Sequence, residues 1–224
     1  MRYPKDQKDK TRQQILDAAA RVFRRHGFQA GSVDVVMKEA GLTAGGFYAH
    51  FESKTALFAE AILGALQKGK IVFGRDTPEL EGAELIRSVA AKYLSSVHRE
   101  HIDQGCVLPP LLADLPRQDE AVRREFQTVL SEAATALRPH AAGGESETVN
   151  EGESDQGWAI LAMLVGGMSL ARAVADKDLS DRILLACRLF LATSLDSNET
   201  EREGSSEPPP SSSRPRPPSS RRKK

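Results

Sequence analysis

One stretch limits what the chain can fold into. From Ile15 to Leu63, ILDAAARVFRRHGFQAGSVDVVMKEAGLTAGGFYAHFESKTALFAEAIL, helix starts and stops follow one another at short, regular spacing. In the first segment Ile15, Ala18, Ala19, Val22 and Phe23 recur at the three-and-four spacing of a buried helical face, with Arg12, Arg21, Arg24 and Arg25 outside it. Gly27 is placed to close that helix as a left-handed cap. Ser32 N-caps a short second helix whose Val33, Val36 and Met37 face inward and which ends at Gly41 after Ala40. Gly41-Leu42 is the turn, and Thr43 caps a further short helix that gives Phe47 and Phe51 to the core and turns Tyr48 and His50 outward. Ser53 caps a long helix carrying Lys54 and the apolar stripe Leu57, Phe58, Ala61, Ile62 and Leu66. Ala56 stands where a capping box has its acid, so only the serine cap is expected.

Two short helices across a glycine turn, braced by longer helices, form a helix-turn-helix, which presents its second helix to a DNA groove. The residues that carry this unit also carry a family resemblance. An Ile15-Leu16-Asp17-Ala18-Ala19 start, Gly27-Phe28 at the first helix end, an Ala40-Gly41 turn, Phe47-Tyr48-Ala49-His50-Phe51, and Ser53-Lys54 with Leu57 follow in order. The stretch from Ile15 to Leu63 resembles the N-terminal domain of the TetR family of bacterial transcriptional regulators. The rest of the chain matches that family only in kind, as an all-helical module of suitable length.

Charge is segregated, as a DNA-binding head requires. The 224 residues carry 31 basic and 31 acidic side chains, yet residues 1–70 hold 12 basic against 7 acidic, residues 71–196 hold 12 against 20, and residues 197–224 hold 7 against 4. Two cysteines, Cys106 and Cys187, are too few for a disulfide framework or a zinc knuckle and fit a reducing cytoplasm. The most apolar run, Trp158 to Ala175, is broken by Gly166-Gly167 and Arg172, so no membrane partner is expected, and the N-terminus has no apolar signal core.

The fold class read from these patterns is all-α, about nine helices in all. A basic arm (1–10) opens a helix-turn-helix domain (1–53), a helical effector-binding and dimerisation domain follows (54–196), and a Ser/Pro/Arg-rich tail (197–224) is too polar to fold. Within the body, Lys54 to about Phe73 is the connector. Glu84 to Arg99 is read as one helix with Leu85, Val89, Tyr93, Leu94 and Val97 on one face; Pro109-Pro110 starts a short helix that Pro116 stops. Asp119 to Leu137 is strongly amphipathic, and Ala141 to Glu153 reads as a loop. Asp155 to Val174 and Ser180 to Leu195 are apolar nearly all round, which requires burial all round. That places a homodimer interface at Ile160, Leu161, Leu164, Gly167, Met168, Leu184, Leu189 and Phe190, with an intramolecular core as the alternative.

Chemistry assigns the DNA contacts. Phosphates want short polar side chains and donors near helix starts, which points to Ser32, Thr43, Tyr48, His50 and Lys54, while Thr43, Ala44, Gly45 and Phe47 are the candidates for base edges. The basic arm, Arg2, Lys5, Lys8, Lys10 and Arg12, is a further candidate for phosphate. The resemblance implies the same pattern: groove contacts where the recognition helix begins, phosphate contacts at Tyr48 and His50, and a phosphate-binding Lys54. Ala44-Gly45-Gly46 departs from the Ser-Lys-Gly type of start seen in that family and removes a lysine from the groove. Thymine methyls and DNA shape then carry more of the discrimination.

The chain lacks the G-x-S-x-G, P-loop, H-E-x-x-H and dinucleotide signatures, so it is read as no enzyme and no cofactor is expected. The resemblance implies a body that binds a small molecule and releases DNA when the molecule is bound. A homodimer occupying a promoter blocks polymerase with no added surface, which favours a repressor, and its two heads call for a palindromic double-stranded operator. Phe73, Tyr93, Val97, Phe126, Leu130, Trp158 and Met163 are candidates to line a pocket for a hydrophobic or amphipathic effector, although residues of this kind are more often plain core. Two other readings stay open: a thiol- or metal-responsive regulator using Cys106 with His98 and His101, and a helical interaction protein that does not bind DNA.

Overall fold

A break at Gly27 sets the shape of the amino-terminal head. The structure is a computed structural model that describes residues 5–70, 80–139 and 151–205. Arg2, Phe73, residues 141–150 of the expected loop and the tail from 206 lie outside these. Helix α1, Lys5–Ala30, begins inside the expected arm, so residues 5–10 are its first turns, and it is interrupted at Gly27. The φ of 72° and ψ of 176° there belong to glycine alone; the backbone is kinked rather than capped in the left-handed helical region. The kink turns Phe28 back onto the head, its ring 4.7 Å from Phe58, which lies 5.0 Å edge-on from Phe23.

The next breaks follow the expected chemistry. Ser32 Oγ accepts the Val35 N–H at 3.3 Å and starts α2, Val33–Glu39. Gly41 N–H donates to the Lys38 carbonyl and Leu42 N–H to the Met37 carbonyl, the paired bonds of a Schellman motif, with Gly41 at φ 68°. The recognition segment, Ala44–Ala49, is a 3-10 helix. Ser53 Oγ accepts the Ala56 N–H at 3.0 Å and opens α3, Lys54–Lys70. Ile15, Phe23, Met37, Phe47, Leu57, Phe58 and Ile62 close one core among these elements.

The regular elements among the body's described residues are all helices: α4 (Gly82–Tyr93), α5 (Ser96–Glu100), α6 (Leu108–Leu111), a 3-10 helix (Leu112–Arg117), α7 (Glu120–Ala136), α8 (Glu151–Ala173) and α9 (Lys177–Ser205). α8 and α9 pair as a hairpin; α7 and α6 pack on α8, and α4 packs on α9. The head joins the body where α1 meets α6 and α3 meets α7. Arg25 pairs with Asp103 at 3.2 Å, and Phe28 N–H donates to Asp114 Oδ2 at 3.0 Å.

Four expectations are corrected here. The helix expected over Glu84 to Arg99 is two, because Ser95 Oγ accepts the His98 N–H and restarts the chain as α5. Pro116 sits inside a 3-10 helix instead of stopping one, and α9 runs through Ser205 into the segment expected as tail. Most of the residues assigned to a dimer interface are core of a single chain: Ile160, Leu161, Leu164, Met168 and Leu184 are all buried by their own neighbours. Gly167 is likewise internal, since a Cβ there would lie 2.8 Å from Cys187 Sγ.

Candidate nucleic-acid interface and effector cavity

The recognition segment is held from behind by aromatic packing. Phe47 is 0% exposed, its ring stacked 5.8 Å from Phe51 and edge-on to Tyr48 at 5.1 Å. Phe47 therefore cannot reach a base edge, against expectation; it anchors the segment whose other face is outside. Thr43, Ala44 and Gly45 are exposed, and Thr43 makes no side-chain capping bond. Tyr48 is 76% exposed.

The other phosphate candidates are more constrained. Ser32 is half-buried and its oxygen is taken as an N-cap acceptor, which leaves its hydroxyl proton to donate. His50 is half-buried with Nδ1 enclosed and unpartnered, and burial, then Lys8 and Arg12, hold its pKa below the usual imidazole range. Lys54 Nζ donates to the Gln29 carbonyl at 3.1 Å and lies 4.5 Å over the Phe28 ring, so it stitches α1 to α3 in this state. Arg12, expected in the arm, bonds Glu60 at 2.7 Å and lies 4.6 Å over Phe51. Arg21 and Arg25 share Glu39 at 3.1 and 3.4 Å.

Between head and body lies a cavity of about 960 Å³. Its walls come from α1, α3, α4, α7 and residues 103–108. Tyr93 and Leu130, expected as lining, are in it; Phe126 is core, and Met163 is half-buried elsewhere. Val97 is 66% exposed because the break at Ser95 rotates it out of the α4 face, and Trp158 is 39% exposed on α8. Sequence reasoning missed Arg24, treated as solvent-facing. Leu16, Ala20 and Arg24 form an i, i+4, i+8 row that lines the cavity, and the small apolar residues in that row were the available signal.

The metal reading fails on hydrogen bonds. The Cys106 N–H donates to His98 Nε2 at 3.0 Å, so that nitrogen carries no proton; Nδ1 carries it and donates to the Tyr93 carbonyl at 2.7 Å. Both His98 nitrogens are thus committed, and His101 Nδ1 bonds the Val97 carbonyl at 2.8 Å. No group of three His, Cys, Asp or Glu suited to a metal occurs among the described residues. Cys106 lines the cavity, but burial pushes its thiol pKa up, away from a reactive thiolate, although hydrogen bonds from Tyr93 and Leu108 oppose this.

Residues 15–61 match the sequence profile of the bacterial regulatory proteins, tetR family. The chain is 38% identical over 65 residues to the uncharacterized HTH-type transcriptional regulator YfiR of Bacillus subtilis, spanning 29% of this chain and 32% of YfiR. It is 26% identical over 138 residues to the HTH-type transcriptional regulator UidR of Escherichia coli, 60% of this chain and 68% of UidR. A TetR transcriptional regulator from Chloroflexus aurantiacus has the same fold, with a TM-score of 0.69 at 22% identity over 85% of this chain and 96% of that one. The chain carries a TetR-family amino-terminal segment at residues 15–61. It spans about a third of the length of the first curated relatives it matches, so the sequence likeness is concentrated in the head while the fold likeness extends over the body. Within the described residues no helix is long and apolar enough to cross a membrane.

Proposed function

We propose that this chain is a cytoplasmic TetR-family transcriptional repressor that binds a palindromic operator as a homodimer and lets go when a small molecule enters the body. The observation that carries the reading is the exposed Thr43-Ala44-Gly45 and Tyr48 surface, held on a buried Phe47 and Phe51 and connected by α3 to a cavity. Backbone contacts fix such a surface on DNA while the first residues of the segment meet the bases. With glycine and alanine there, discrimination rests on thymine methyls and groove shape.

A second copy of the chain supplies the second head. Leu185, Leu189 and Phe190 leave an exposed apolar strip on α9, with Phe190 61% exposed. Ala159, Ala162, Gly166 and Leu170 continue an uncovered face on α8, and nothing lies within 4 Å of a Cβ built at Gly166. A two-fold axis through this face sets like strip against like strip, and the small residues let the helices approach. Two recognition segments then enter major grooves about 34–36 Å apart. An effector acts by favouring a head separation that misfits this spacing, through its different affinity for the two arrangements.

The test is selection of bound genomic fragments by the full chain, followed by mobility shifts on the selected operator with half-site spacing altered by two base pairs. Loss of binding on respacing supports the two-headed reading; indifference to spacing, or turnover without DNA affinity, overturns it.

A further inference from the structure

The cavity between head and body carries unbalanced charge. Three acids stand on its walls and each already has a cation: Asp17 has Lys68 at 2.7 Å, Asp103 has Arg25 at 3.2 Å, and Glu60 has Arg12. Four cations stand there too. Arg21 is held by Glu39 and Lys68 by Asp17, whereas Arg24 and Lys92 have no carboxylate partner among the described residues. Arg24 is the more telling. It is half-buried, one guanidinium nitrogen rests on the Asp103 carbonyl at 3.3 Å, and Nε is enclosed with no partner. A guanidinium withdrawn from water and left short of acceptors favours an anion, which it receives with charge-assisted, directional bonds.

The rest of the wall is aliphatic. Leu16, Leu66, Val89, Val107, Val129 and Leu130 line it, and Tyr93 is the only benzene-type ring among the described lining residues. Such a wall accommodates saturated chain and offers little stacking surface to flat aromatic ligands.

We propose that this cavity takes an aliphatic organic anion, its acid group on Arg24 and its chain along the aliphatic wall. The proposal rests on the effector-released reading above and adds the ligand class and the point of action. Arg24 belongs to α1 of the head, and its bond to Asp103 is one of the ties to the body. An acid group on Arg24 competes with that carbonyl, so the ligand loosens the head directly where it binds.

Decanoate, 1-decanol and decylammonium, titrated into the full chain by calorimetry, vary the head group on one chain. Decanoate binds roughly tenfold or more tightly than decanol, the size of one charge-assisted hydrogen bond, and decylammonium binds weakest. Arg24→Gln brings decanoate to the level of decanol, and Arg24→Lys restores part of the preference. Gly64 lines the cavity with nothing within 4 Å of a Cβ built on it, so Gly64→Leu fills the space and removes a helix glycine; the chain stays folded and decanoate binding is lost. Equal binding of the three probes, none from any of them, a preference for the ammonium, or undiminished binding in folded Gly64→Leu overturns the proposal. Release is read separately on operator DNA: decanoate bound through Arg24 with DNA still held supports this site and overturns the effector reading.

Discussion

Head and body treat their polar groups in opposite ways. In the head most chain breaks are closed locally, by Ser32 on Val35, Gly41 and Leu42 on α2, and Ser53 on Ala56; the outward Arg12, Arg21 and Arg25 all have acid partners, and the exceptions are the uncapped Thr43, the Gly27 break tied to Asp114, and His50 Nδ1. Facing the body, the enclosed Arg24 Nε and Arg172 Nη1 have no partner, a cavity stands open, and α8 and α9 carry an uncovered apolar face. A unit whose groups are satisfied internally presents one fixed surface. One that leaves charges, space and apolar area unmatched is suited to changing partners.

The hairpin of α8 and α9 gives the largest test of that contrast, because both kinds of leucine occur in it. Leu164 is 0% exposed within its own chain, whereas Leu189 is 59% exposed. Leu164→Glu loses about 1.5–3 kcal/mol of side-chain burial and adds an unpaired buried charge, a large part of the roughly 5–15 kcal/mol that holds a domain together. It should unfold or aggregate, with the helical signal lost on mild heating. Leu189→Glu should keep its helical content, sediment as a monomer and lose operator binding by a hundredfold or more. A folded Leu189→Glu dimer would remove the α8–α9 face from the dimer proposal.

The recognition segment gives the same contrast at the scale of adjacent residues. Phe47→Ala empties a buried site and should cost about 3–5 kcal/mol of stability. Tyr48→Ala should leave the melting temperature within a degree or two and weaken operator and random DNA together, lowering the slope of log affinity against log salt by about one per site. Thr43→Ala should change the preferred operators instead. If Tyr48→Ala altered operator preference without altering the salt slope, Tyr48 would be reading bases.

The head was the more legible region because its signals are local. A serine cap, a glycine turn and an aromatic pair each fix a few neighbouring residues, and Ser32, Gly41, Ser53, Phe47 and Phe51 behave as their spacing indicates. Phe47 follows its apolar spacing into the core and not its place in the recognition segment. The body depends on packing between distant elements. One unnoticed cap at Ser95 moved Val97 from the interior to the surface, and helices apolar all round gave no means of telling Leu164 from Leu189. Gly166 and Gly167 are adjacent in sequence yet one is open and the other lies under Cys187, a distinction only the rotation of α8 supplies. Arg24 was hidden for the same reason: the groups it meets, Asp103 and Cys106, lie far away in the chain.

Lys54 separates the two regions more finely. Resemblance assigns it to phosphate, while the structure ties it to the Gln29 carbonyl and the Phe28 ring. Lys54→Met should cost roughly 0.5–1 kcal/mol of head stability for the lost cation–ring contact. Its salt slope decides the role: unchanged if Lys54 stays tied when DNA binds, lower by about one per site if it swings to phosphate.

The smallest effect concerns His98, where the body does satisfy a polar group fully. Its neutral ring donates to the Tyr93 carbonyl and accepts the Cys106 N–H, and a Cβ at Gly105 would lie 2.6 Å from the ring, so the loop clasps it closely. Burial, then nearby Arg172, holds its pKa below 6.5, although the bond to Tyr93 opposes the shift. For a base the sign follows directly. Above pH 6.5 the ring is neutral in folded and unfolded chains alike; as pH falls below that value the unfolded chain takes up the proton first, so stability declines until the folded pKa is passed. His50 is shifted in the same direction and contributes to the same decline. Asp17 and Glu39, held below 3.8 and 4.5, lose their contributions at lower pH. His98→Gln, which keeps one donor and one acceptor, should therefore flatten the fall in urea midpoint between pH 6.5 and 5 without abolishing it, by less than about 1.4 kcal/mol per pH unit because less than one proton is involved. An identical pH profile for parent and variant would mean that the clasp opens to solvent and that His98 belongs with the adaptable part of the body.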